Sequence, residues 1–204
     1  MRKLILPLII GTALSLSAPA LAKIKRGFHS TVTAPVTTSL RLDISVSDDL
    51  AHRAENLPKK LRDRSSSSRS RSGFANNGFY GEREIDRLQT RLEKKITQRF
   101  ALKGITIDPD ASTVLKITLV DARPNRPTFN QLSREPSLSF KSFGLGGAEL
   151  TGEIIQPGGV SLGDISYSFF EDDIRDAAFG STWSDANRAF DRFARKAAKT
   201  LSAN

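Results

Sequence analysis

The sequence predicts an α+β fold: a two-layer sandwich with a four-stranded, mainly antiparallel sheet and two helices on one face, in the order β-α-β-β-β-α. Three observations predict it. Two stretches, 82–103 and 181–201, carry apolar residues every three or four positions, the period of an amphipathic helix. Four stretches read as strands. Pro157-Gly158-Gly159 between the last two strands is a hairpin signal.

In chain order, Leu40, Leu42, Ile44 and Val46 alternate with Arg41, Asp43 and Ser45, so 39–47 is a half-buried strand. A short helix is possible over Asp49–Leu57, stopped by Pro58. Residues 58–81 are rich in Ser, Arg, Asn and Gly without apolar periodicity, and are expected to form a mobile insert. Ile85, Leu88, Leu92, Ile96 and Phe100 then form one helical stripe, with Gly104 as the stop. Residues 112–121 form the next strand, followed by a long Pro/Ser/Gly connection over 122–146. Strands 148–156 and 160–170 follow. Trp183, Ala186, Phe190, Phe193, Ala197 and Leu201 mark the last helix, with Ser181 or Thr182 as its cap and Trp183 as a core anchor.

The chain has 204 residues and no cysteine. Disulfides, thiolate metal sites, cysteine nucleophiles and lipid attachment through cysteine are thereby excluded. Residues 1–22 have the pattern of a cleavable signal peptide: Arg2 and Lys3, an apolar run, then Ala20-Leu21-Ala22. The expected organisation is this leader plus one domain, 23–204, exported to the periplasm and without a transmembrane segment. Lys+Arg outnumber Asp+Glu by 31 to 22, a formal charge of +9, and removal of the leader leaves +7.

That charge is segregated. The insert 58–81 carries +5, each of the stretches 82–103 and 182–204 carries +3, and 104–181 carries −5. Arg62, Arg64, Arg69 and Arg71 in the insert, and Arg188 and Arg192 on the last helix, are therefore candidates for contact with an anionic partner. A solvated insert and a solvated helix face are the plainer readings. Arg123 and Arg126, stiffened by Pro124 and Pro127 at a strand exit, are further partner-binding candidates, against a plainer rigid connection.

Catalytic and metal motifs are sparse. His29 and His52 stand alone, and no nucleophile–base–acid set is legible. Phe143–Gly147 is glycine-rich but precedes a strand, so it reads as a turn. Glu171, Asp172, Asp173 and Asp176 match no calcium-loop spacing. No catalytic residue, metal or cofactor is expected. The expected function is non-enzymatic binding of an envelope partner, either a protein or an anionic surface, with no role for nucleic acid. Two alternatives stand beside it: a hydrolase using dispersed carboxylates such as Asp121, Glu149 and Glu153, and a structural or assembly subunit of an envelope complex.

Three stretches carry a resemblance: LVDARPNRP at 119–127, AELTGEI at 148–154 and AFDRFARKAAKTL at 189–201. Together they resemble uncharacterised exported bacterial proteins and lipoproteins known as domains of unknown function, over about residues 82–201 by element order. The resemblance implies a periplasmic α+β fold and no established chemistry. Lys23 stands where the lipoprotein members carry an anchoring cysteine, and the Ser/Arg insert departs from their layout. The strand–helix–strands–helix order is also loosely similar to envelope lipoproteins that activate cell-wall synthases, at the level of fold analogy.

Overall fold

A computed structural model describes residues 24–36, 39–59 and 73–202. Its strands are β1 (Gly27–Ser30), β2 (Ser39–Val46), β3 (Thr106–Ile107), β4 (Val114–Arg123), β5 (Gly147–Ile155) and β6 (Ser161–Phe170). Its α-helices are α1 (Asp48–Glu55), α2 (Glu82–Ala101), α3 (Phe129–Arg134) and α4 (Ser184–Leu201), with a 3-10 turn at Gly73–Asn76. The expected leader, 1–22, and residues 60–72 of the insert, including Arg62, Arg64, Arg69 and Arg71, lie outside the described residues.

The sheet corrects the expected fold class. It has six strands in the order β1-β6-β5-β4-β2-β3, not four. It is mixed: β4, β5, β6 and β1 pair antiparallel, whereas β2 runs parallel to both β4 and β3. Among the described residues, four α-helices accompany it rather than two. The physical reason lies in the edges. β1 and β3 are too short to show a period, and each forms only by pairing with a longer strand. The parallel pairing of β2 with β4 requires a crossover, which α1 and α2 supply.

The long elements form for the reasons their sequences give. The stripe of α2, Ile85, Leu88, Leu92, Ile96 and Phe100, is buried in full. Trp183, which precedes α4, and Phe190, Phe193 and Leu201 on it are fully buried alongside small alanines that bring the helix close to the sheet. These side chains meet Leu115, Ile117 and Leu119 of β4, Leu150 and Ile154 of β5, and Ile165 and Tyr167 of β6 in one continuous core. At the N-terminus of α1, Ser47 accepts a hydrogen bond from the Leu50 N–H at 3.2 Å. The last helix begins at Ser184, with Trp183 in the cap position instead of Ser181 or Thr182. Residues 73–81 of the insert belong to the packed body, where Phe74, Ala75 and Tyr80 are buried.

One irregularity positions the site. The β2–β4 pairing ends at Val46 opposite Leu119, and a bulge follows on β4 between Leu119 and Asp121. Beyond it, β4 runs on to Arg123 with α1 beside it in place of a strand. The Ser47 hydroxyl closes the junction by donating to the Val120 carbonyl at 2.8 Å.

Candidate functional site

The chain leaves β4 through Pro124 and Asn125 into the long connection that precedes β5. Asn125 is fully buried and holds the loop from several sides. Its backbone N–H donates to the Thr182 carbonyl at 2.7 Å, and its carbonyl accepts from Gly144 N–H at 2.8 Å. Its side-chain amide donates to the Asp185 carboxylate and to the Gly144 carbonyl. The packing leaves no space for another side chain, since a Cβ on Gly146 would lie 2.5 Å from the Asn125 amide oxygen. Arg126 crosses beneath the loop, donating to the Phe179 carbonyl at 2.7 Å and the Phe140 carbonyl at 3.1 Å.

α3 sits within this connection. Thr128 caps it through a reciprocal capping box with Gln131. The buried Gln131 amide also donates to the carbonyls of Phe74 and Gly78, at 3.0 and 2.8 Å. The short helix is thereby fastened to the segment leading into α2.

This braced loop presents apolar rings to solvent. Phe129 is 74% exposed, Phe140 67% and Phe143 54%. Phe129 and Phe140 meet edge to face at 5.7 Å, and Phe143 lies 4.9 Å from Phe179. Beside Phe129 opens a cleft of about 490 Å³, bounded by Asn130, Glu55, Glu82, Arg83 and Arg87. Arg87 pairs with Glu84, and Asn130 donates to Glu55 at 3.0 Å. Arg83 has no carboxylate partner among the described residues. Exposed aromatics beside mixed charge can hold an apolar segment and orient it through its polar groups.

Behind the loop, at the β4 bulge, Arg53 reaches Asp121 at 2.6 Å, and Tyr80 lies beside it. Arg123 contacts the second carboxylate oxygen of Asp121 at 3.3 Å. Burial works against the charge on Asp121, but the two guanidinium groups more than offset it and hold its pKa below the usual carboxylate range. Arg53 likewise overcomes its burial through Asp121, which raises its pKa. Burial dominates at Tyr80 and pushes the phenol up to about 12. Tyr80 donates to the Ala75 carbonyl at 2.6 Å and meets Trp183 edge to face at 5.7 Å.

The candidate arginines that are described take up distinct places. Arg123 pairs with Asp121 and lies 4.2 Å over the Phe170 ring. Arg126 is the internal brace described above. Arg188 lies 3.6 Å from Asp185 and 3.9 Å from Glu171. Arg192 covers the Phe169 ring at 4.8 Å. Three of them therefore gather around the exit of β6, while Arg126 belongs to the loop. Of the carboxylates in the hydrolase alternative, Asp121 faces Glu149 in the β4–β5 register, and Glu149 accepts from Ser168 at 2.9 Å. Glu153 faces Lys116 and Asp164.

Phe129, Phe140 and Phe143 are not among the binding candidates that the sequence offers, where Phe143 reads only as the start of a glycine-rich turn. The signal was present: three large apolar residues lie in a Pro/Ser/Gly connection, with no period that would give them a core face.

Among the described residues, no helix is long and apolar enough to cross a membrane. No family model matches the sequence, and no curated protein matches it. Solved structures do overlap with the chain. A PelC dodecamer from Paraburkholderia phytofirmans aligns with a TM-score of 0.43 at 9% identity, covering 86% of this chain and 98% of that one. Protein XCC0632 from Xanthomonas campestris, of the DUF330 family, aligns with a TM-score of 0.37 at 11% identity, covering 83% and 89%.

Proposed function

We infer that this chain is an exported, non-catalytic protein that binds an envelope protein through the phenylalanine surface of the β4–β5 connection. One observation carries this reading: Phe129, Phe140 and Phe143 are more than half exposed on a loop that buried polar bonds hold in place. Exposing three rings to water is unfavourable for the isolated chain, and bracing them reduces the ordering cost of binding. The leader pattern at 1–22 supports export. The mixed charge around the cleft fits a protein partner better than a uniformly anionic surface.

The test places a photo-crosslinking aromatic residue at Phe140 in the full-length chain in cells. Expected is a covalent adduct with one discrete protein, lost when Phe129→Ser is added, while the thermal unfolding midpoint stays within a few degrees of the parent. Adducts only to lipid would overturn the reading, as would anionic-vesicle binding that requires the same rings, or capture indifferent to Phe129.

A further inference from the structure

A different surface, independent of the phenylalanine loop, carries a second binding assignment. In the parallel pair of β2 with β4, alternate residues of β2 point both backbone groups to the same side. The Arg41 N–H donates to Thr113 and the Ser47 N–H to Leu119, so the odd-numbered residues face β4. The even-numbered residues Leu40, Leu42, Ile44 and Val46 face the other way. Leu40 is taken by β3, its carbonyl accepting from Asp108 N–H at 3.0 Å. Beyond Leu40, no described strand pairs with this side of β2.

The edge has few of the devices that keep strand edges from pairing: its charged residues are Arg41 and Asp43, whose backbone groups face β4. Ser39–Val46 contains no proline, glycine or lysine, and its register with β4 is unbroken from Arg41 to Val46. A groove runs beside it, with Leu42 and Ile44 on its floor and Asp86, Gln89, Thr90 and Glu93 of α2 on its wall. Leu42 and Ile44 pack against the core yet remain half-exposed there. The Gln89 amide donates to the outward Ile44 carbonyl at 3.4 Å, which is the place where the N–H of an added strand would arrive. Asp86 and Glu93 are exposed and have no cationic partner among the described residues.

We propose that the free edge of β2 is a strand-addition site for an extended basic peptide segment. Backbone groups of Leu42, Ile44 and Val46 extend the sheet by one strand. Lysine or arginine at alternate positions of the guest lays its aliphatic stem on Leu42 and Ile44 and its charge beside Asp86 and Glu93. The acidic wall sets this charge preference, although the chain as a whole is basic.

The test uses the full chain and a fluorescent peptide of alternating lysine and valine, about ten residues long. Two control peptides share its composition, one with scrambled order and one N-methylated at every second residue. Expected is saturable binding of the alternating peptide, loss of binding on N-methylation, and about tenfold weaker binding by Asp86→Asn/Glu93→Gln at low salt. A second variant, Ile44→Pro, removes an outward N–H on an edge strand and is expected to abolish binding, with circular dichroism confirming the fold. Equal binding of the N-methylated peptide would overturn strand addition, and indifference to the acidic pair would overturn the basic guest. Concentration-dependent dimerisation lost in Ile44→Pro would assign the edge to a second copy instead.

Discussion

Asn125 and Asp185, 60 residues apart and both fully buried, are bound reciprocally: the Asn125 amide donates to the Asp185 carboxylate, and the Asp185 backbone N–H donates to Asn125 Oδ1 at 2.8 Å. The pair ties the β4 exit to the first turn of α4. It also gives a buried carboxylate the partners it needs, together with the Ala178 N–H at 3.2 Å.

Asn125→Ala removes those donors and leaves Asp185 buried with fewer partners. The expected cost is about 3 kcal/mol in a urea titration. The same variant should speed limited proteolysis between Pro124 and Gly146, because the loop loses its anchor while α2 and α4 keep their core contacts.

Asp121 predicts a stability loss in acid. Its pKa is lowered in the folded chain, so its contribution is present above the unfolded value of about 3.9 and disappears as pH falls through the folded value. Asp121→Asn is expected to cost roughly 2–4 kcal/mol at neutral pH, because Arg53 keeps its charge and loses its nearest partner. The variant should also show a shallower fall in stability below about pH 4 than the parent. Equal acid slopes in denaturant titrations would count against this account.

Tyr80 predicts a loss at the alkaline end. Its pKa is raised in the folded chain to about 12, so between roughly pH 10 and that value the folded state keeps a proton the unfolded chain has lost. The contribution is complete below about pH 10 and is lost as pH rises through the folded value. Tyr80→Phe should flatten that decline. It should also remove the late phenolate step in an absorbance titration; a wild-type chain without such a step would contradict the assignment.

Much of the fold was legible because long amphipathic elements announce themselves. The stripes of α2 and α4 and the β5–β6 hairpin lie close to where the sequence places them. β1 and β3 were not legible, since four and two residues have no measurable period and their strand character comes from β6 and β2. α3 left only a capping box, Thr128 with Gln131, inside a stretch whose prolines and serines read as loop. Arginine in the sequence reads as available charge, yet Arg126 and Arg53 are spent on internal carbonyls and Asp121. Exposed phenylalanine is the opposite case: the aperiodic connection around Phe129, Phe140 and Phe143 gives these rings no core face, but only the packed structure shows which of its apolar residues stay outside.

The parallel pairing of β2 with β4 also bears on how the chain reaches this structure. Arg41 meets Val114 only after the whole crossover has been made, so a long loop must close before β2 gains its partner. The antiparallel hairpin of β5 and β6 needs no such closure and can form early. Until β4 arrives, both edges of β2 are open, and an apolar strand in that condition is prone to pair with the wrong chain. Refolding at rising protein concentration should therefore lose yield to aggregation through this segment before any other.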